Sequence, residues 1–287
     1  MKAPIRAYRS MRTGKNPTTA VLTYEALRSL VRSAYEHFNQ EGYFTEYFGY
    51  WCVDNDDVPG KAGSDVCNYA FLHLRRDGLW PLSEKILSYT EDDLFDVIEF
   101  LYDHVSKPIA GNFHSFANCG MHWHTFDRKS GQQEFQATIN PLLESYNVGY
   151  RLSDNGEIIE CGPIGLSNLL NAQVLSAEPT VTERIQGAVD RFRRHGAKLD
   201  DRQKAVRDLA DVLEWLRPQI RTTLLKKDES DLFKIANEFG IRHLNQNQKL
   251  AYDHAVWLSW MFYYYLATIH ACLHLVERQK RKASPPA

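Results

Sequence analysis

The segment that most limits the possible folds is Ala255–Leu275, 21 residues without a formal charge at neutral pH. That is the length of a membrane span. Ser259, Tyr263, Tyr264, Tyr265, Thr268, His270 and His274 interrupt it, however, with polar groups that would need partners in lipid. The reading that fits is a buried helix of about 251–276, at a bundle centre or in a subunit interface. Upstream, apolar residues keep helical spacing back to about residue 163. Leu166, Leu169, Leu170 and Val174 predict one short helix, and Val181, Ile185, Val189 and Phe192 a second, opened by a Thr180/Glu183 capping box and closed by Gly196. Ala205, Val206, Leu209, Val212, Leu213 and Leu216 predict a third helix, stopped by Pro218, and Leu232, Ile235, Ala236 and Phe239 a fourth. The carboxy-terminal half therefore reads as an all-α bundle.

The amino-terminal half is more mixed. Leu27, Leu30, Val31, Ala34, Tyr35 and Phe38 form a helical stripe over 23–40 that ends near Gly42. Tyr43–Asp77 is aromatic, acidic and irregular, with a short element expected around Val66–Arg76. Thr90 can cap a helix with Asp93 at its third position, burying Leu94, Phe95, Ile98, Leu101, Tyr102 and Val105. A Cys- and His-bearing loop is expected over Ile109–Gly131, then a helix through Phe135, Ile139, Leu142, Leu143 and Tyr146 that could restart at Asn140-Pro141. Tyr150–Leu152, the turn Ser153–Gly156 and Glu157–Ile159 read as a small β-hairpin. This gives a basic arm over 1–20, an amino-terminal helical module over 21–162, a helical bundle over 163–278 and a basic tail over 279–287.

At 44% hydrophobic residues the chain can bury a real core. The start lacks the apolar run of a secretory signal, and five scattered cysteines fit reduced thiols, so a cytoplasmic location and no membrane contact are expected. Charge is polarised: residues 41–105 hold 14 acidic and four basic side chains, residues 184–227 hold 12 basic and six acidic. The basic stretch forms either solvated helix faces or a surface for a polyanion or an acidic partner.

His114, Cys119, His122 and His124 fall within 11 residues, and imidazole and thiolate donors so close in sequence could hold zinc. The competing reading is a loop packed by Phe113, Phe116, Trp123 and Phe126 whose histidines are hydrogen-bonded or solvated. Otherwise no cofactor is expected. A Cys119–His nucleophilic pair matches in composition only. No P-loop, dinucleotide-binding glycine pattern or Gly-x-Ser-x-Gly elbow occurs.

Over Ala188–Leu275 the strings AVRDLADVLEWLR, DLFKIANEFGIRHLNQNQK and WLSWMFYYYLATIHACLHL resemble the helices of a bacterial HEPN-like domain of the abortive-infection type. Upstream, NCGMHWHTF, INPLLESYNVGYRL and NGEII resemble the module and hairpin that precede such domains. The resemblance implies a mostly α protein with a HEPN-like bundle that homodimerises through its long helices. In active members it implies a metal-independent endoribonuclease. Such an enzyme needs an arginine on the scissile phosphate and a histidine to move protons. Arg242 and His243 match the first two places of its motif, and Asn245 could orient the phosphate. The histidine expected four to six residues further on is replaced by Asn247, Gln248 or Lys249. The departure keeps open a second reading, a non-catalytic module that binds RNA or a partner protein of a defence or toxin–antitoxin system. An Arg-x-x-x-x-His string at Arg32–His37 places its two side chains roughly 140° apart on a helix, too far round to share one phosphate.

Overall fold

The computed structural model describes residues 8–15, 21–162, 164–175, 178–220 and 253–283. The fold is mostly helical, with three separate two-stranded antiparallel hairpins. Contacts divide the chain into two compact units, Met1–Glu160 and Cys161–Ala287.

In the first unit, helices α1 (Arg9–Arg12), α2 (Tyr24–Gln40) and α3 (Thr45–Phe48) lead into strands β1 (Tyr50–Cys52) and β2 (Asp56–Val58). Helices α4 (Val66–Leu74), α5 (Leu82–Lys85) and α6 (Glu91–His104) follow, then strands β3 (Lys107–His114) and β4 (Gly120–Asp127). Helix α7 (Arg128–Glu144) and the hairpin β5 (Tyr150–Leu152) and β6 (Ile158–Glu160) complete the unit. The stripe read on α2 is buried at Leu27, Val31, Ala34, Tyr35 and Phe38, while Leu30 faces outward. It packs with Leu94, Ile98 and Leu101 of α6 and with Phe135, Ile139 and Leu143 of α7 in one core. Thr90 and Asp93 form the expected reciprocal cap, each side chain bonding the other's backbone amide.

Helix α7 passes through Pro141 without restarting. Proline removes one ladder bond, and the buried residues on either side, Ile139 and Leu143, hold the helix together across it. The preceding Asn140 is buried and completes β5 from the side: its Oδ1 accepts from the Leu152 amide at 2.7 Å and its Nδ2 donates to the Leu152 carbonyl at 3.3 Å. The β5–β6 hairpin forms as expected, but of Asn155-Gly156 only Gly156 takes a positive φ, +83°, and a Cβ there would come within 2.5 Å of the Tyr102 ring.

His104 ends α6 in the core. Its Nδ1 lies 2.6 Å from the Phe100 carbonyl, which only accepts, so that nitrogen carries the hydrogen. Nε2, 2.8 Å from the Tyr69 hydroxyl, then accepts. Burial, the largest influence, holds the imidazole below its ordinary value of 6.5 and keeps it neutral.

The second unit holds α8 (Ser167–Leu170), α9 (Pro179–Arg193), α10 (Leu199–Ile220) and α11 (His254–Ala283). Val181, Ile185, Val189 and Phe192 of α9, Val206, Leu209, Leu213 and Leu216 of α10, and Leu258, Met261, Phe262, Tyr265, Leu266 and Ile269 of α11 share one core. Phe192 stacks on Phe262 with centroids 3.9 Å apart. Two local expectations are corrected. Helix α9 begins at Pro179 with Glu178 before it and no side-chain cap, because proline at the first position needs no amide partner; the Thr180/Glu183 box does not form. Pro218 lies inside α10 rather than ending it. Within the chain α11 buries one stripe, and its Val256, Trp257 and Trp260 are exposed. No helix among the described residues is long and apolar enough to cross a membrane. The fourth expected helix, with Leu232, Ile235, Ala236 and Phe239, lies outside the described residues.

Two measurements test this packing. Asn140→Ala strands the buried Leu152 amide and is expected to cost about 1–3 kcal/mol in a urea titration; an unchanged midpoint would contradict the pairing. Because the folded value of His104 is depressed, its contribution is complete above the unfolded value of 6.5 and is lost as pH falls below it. Stability should therefore drop more steeply between pH 7 and 5 in the wild type than in His104→Gln, and parallel profiles would exclude the assignment.

Candidate metal centre

The stretch read as a Cys/His loop is largely the β3–β4 hairpin, whose register pairs Asn112 with His122, Phe113 with Met121 and His114 with Gly120. Periodicity hid it because Gly111 and Asn112, poor strand formers, occupy its middle. The base of the hairpin is fixed to α7: Lys107 donates to Glu134 at 2.7 Å and the Tyr43 hydroxyl donates to the same carboxylate. These two hydrogen bonds hold Glu134 below the usual carboxylate range. Asp127 closes the hairpin and caps α7 by accepting from the Ser130 amide.

At the other end the connection from His114 to Gly120 turns tightly, with Ala117 in the left-handed region at φ 48°, and returns Cys119 beside both strands. Cys119 Sγ lies 3.2 Å from His122 Nε2, and the rings of His114 and His122 have centroids 5.1 Å apart. The fourth member comes from outside the segment. Cys52, buried at the end of β1, places its Sγ 3.9 Å from His114 Nδ1. Donor atoms of Cys52, His114, Cys119 and His122 all lie within 4.8 Å of one another, a group that could hold a metal ion.

The surroundings orient the donors. Nε2 of His114, the nitrogen turned away from Cys52, lies 3.2 Å from Asp54 Oδ2, so the carboxylate fixes the tautomer that leaves Nδ1 facing the cluster. Asn55 Nδ2 lies 3.8 Å from Cys52 Sγ, and the Tyr50 ring lies 4.6 Å from that of His122. Gly49, at φ +76°, lets β1 leave α3: a Cβ there would stand 2.1 Å from the Val58 carbonyl oxygen.

Of the four donors read from the sequence, the structure brings together His114, Cys119 and His122 and leaves His124 out. His124 is exposed and its Nδ1 lies 3.0 Å from Thr125 Oγ1. Two residues along a strand is roughly 6.6 Å, too far to join a group this tight. Cys52 lies 62 residues before His114 in a stretch without helical or strand periodicity, and no Cys-x-x-Cys spacing marks it.

Arg242, His243 and Asn245 lie outside the described residues. Arg32, in the coincidental Arg-x-x-x-x-His string, pairs with Glu36 at 2.7 Å. Within the basic stretch several cations meet acids inside the unit: Arg191 with Asp208, Lys204 with Asp200 and Arg217 with Glu214. No protein-family model, curated protein or solved structure matches the chain.

Gly49→Ala should displace β1 and destabilise the first unit by about 1–3 kcal/mol, through the clash and the strained φ together. A thermal melt coincident with wild type would show that the hairpin tolerates the methyl group.

Proposed function

We propose that the amino-terminal unit is a zinc-binding module in which Cys52, His114, Cys119 and His122 are the ligands and the metal is structural. The carrying observation is the convergence of two thiols and two imidazoles from two different hairpins within 4.8 Å. Tetrahedral zinc with ordinary bond lengths sets sulfur and nitrogen donors roughly 3.6 Å apart, and the Cys–His separations of 3.9 and 3.2 Å bracket that value. Soft sulfur with imidazole favours zinc over the oxygen-seeking magnesium and calcium. Four protein donors fill a tetrahedral shell and leave no place for a substrate, as in structural rather than catalytic sites. When bound, the metal supplies a cross-link between β1–β2 and β3–β4. The protein's own part is to present the donors: Asp54 orients His114, Tyr50 packs on His122, and the burial of Cys52 shields its sulfur.

The test is elemental analysis of purified protein, with one zinc per chain expected. Cys52→Ser should abolish retention, and His124→Ala should leave it intact. Full zinc in Cys52→Ser, or its loss in His124→Ala, would overturn the ligand set. Cobalt in place of zinc should give the absorption of a tetrahedral thiolate site.

For the carboxy-terminal unit we propose the HEPN reading that the resemblance over Ala188–Leu275 implies. The protein would then be a cytoplasmic homodimer of a bacterial defence or toxin–antitoxin system that cleaves RNA without a metal at the reacting phosphate. Arg242 would bind that phosphate, His243 move protons and Asn245 position them. The shared core of α9, α10 and α11 supports the helical part of this reading. The alternative within it is a non-catalytic RNA- or protein-binding module, favoured by Asn247, Gln248 and Lys249 where the motif's histidine is expected. Incubating wild type and Arg242→Ala with total RNA, without added divalent metal, separates the two. Nuclease activity predicts a loss of about 100-fold or more in the variant, and equal absence of cleavage in both retires it.

A further inference from the structure

The β1–β2 hairpin has two faces, and only one serves the Cys/His cluster. Tyr50 and Cys52 turn toward His122 and His114. Trp51, between them, points the other way, as alternation along a strand requires. Its cross-strand partner is Asp57, so indole and carboxylate stand side by side on the outer face. Trp51 and Asp57 from this face, with Phe48, Tyr50, Asp65 and Trp80 among others, line a cavity of about 590 Å³.

Three properties define what this cavity suits. Its large side chains are aromatic, and Trp51 is 58% exposed although its neighbour Cys52 is 1% exposed. Both charged lining residues are carboxylates: Asp57 is exposed, and Asp65, although it caps α4 through the Asn68 amide, is exposed as well. No basic side chain lines the cavity. The nearby Lys61 is engaged elsewhere, 2.5 Å from Glu46 and over the Tyr47 ring. Asp56, the first residue of β2, is exposed and adds to the negative field. An aromatic face with an adjacent carboxylate attracts an organic cation, through the ring quadrupole and directly through charge. It repels phosphate.

We propose that this cavity is a binding site for the guanidinium or ammonium side chain of a basic polypeptide segment. Trp51 and Trp80 supply the aromatic walls, and Asp57 and Asp65 the countercharge. None of Cys52, His114, Cys119 and His122 lines the cavity, so the site does not require the metal reading to hold.

The test follows the indole N–H resonances of the six tryptophans, assigned by substitution, while N-acetyl-argininamide, N-acetyl-lysinamide or the neutral N-acetyl-norleucinamide is added to the full chain, with zinc content measured on the same sample. Saturable shifts confined to Trp51 and Trp80, caused by either cationic amide but not by norleucinamide and weakened by salt, are the expected result. Trp51→Ala should weaken binding roughly three- to fivefold, the scale of a partly exposed cation–π contact, and Asp57→Asn roughly two- to fivefold, that of an exposed ion pair. Circular dichroism of the variants guards against misfolding, and Trp51→Phe should restore part of the affinity. Equal response to norleucinamide, uniform movement of all six indoles, or no saturable shift would each overturn the proposal, whatever the zinc content.

Discussion

A two-stranded ribbon is marginal in water unless something outside its own ladder holds it, and the first unit contains three of them. Each is held differently. The β5–β6 ribbon lies against the helical core through Leu152 and Ile158, and the buried Asn140 supplies it with side-chain hydrogen bonds. The β3–β4 ribbon is tied at its base by Lys107, Glu134 and Tyr43 and capped by Asp127. The β1–β2 ribbon, like β5–β6, has only three residues per strand, and no buried side-chain amide completes it from the side as Asn140 completes β5. What meets it at its far end is the Cys/His group, where Cys52 faces donors carried by β3–β4. The helices thus hold two ribbons, and the third is tied to α3 just after β2, where the Lys61 and Ala62 amides donate to the Glu46 and Tyr47 carbonyls, and meets the second ribbon at the Cys/His group.

How much of this the sequence revealed follows the same division. Helices with a continuous apolar stripe were legible because 3.6-residue periodicity survives whatever the neighbours are. The α2 stripe, the Thr90/Asp93 cap and the shared faces of α9, α10 and α11 all carry that signal. Short ribbons carry little of it: β1 and β2 offer three residues each, and β3–β4 alternates around Gly111 and Asn112. The β5–β6 hairpin was readable because Asn155-Gly156 names its turn. Proline misled twice, at Pro141 and Pro218, where tertiary packing outweighs one missing hydrogen bond. Three cluster members could be read because they are close in sequence. The fourth could not, since chain distance says nothing about which remote cysteine a fold will return to the site, and His124 took its place by proximity alone.

The charge asymmetry acquires a structural meaning as well. In the second unit a basic stretch that looked available is partly spent on the α9–α10 contact, where Arg191 meets Asp208. In the first, the acidic stretch divides between caps such as Asp65 and Asp93, the orienting Asp54, and carboxylates left facing outward. Net charge over a segment is therefore a poor guide to surface potential until caps and internal pairs have been subtracted.

Alternation along β1 has a consequence for which changes of chain length the molecule can tolerate. Tyr50, Trp51 and Cys52 are three consecutive residues with opposed duties, and a strand's side chains exchange sides with every residue. Deleting or inserting one amino acid at the start of β1, just after Gly49, would shift the ladder by one place. The thiol would then turn into solvent and an indole would turn toward the two imidazoles. Indels of a single residue should therefore be poorly accepted at that point of the chain.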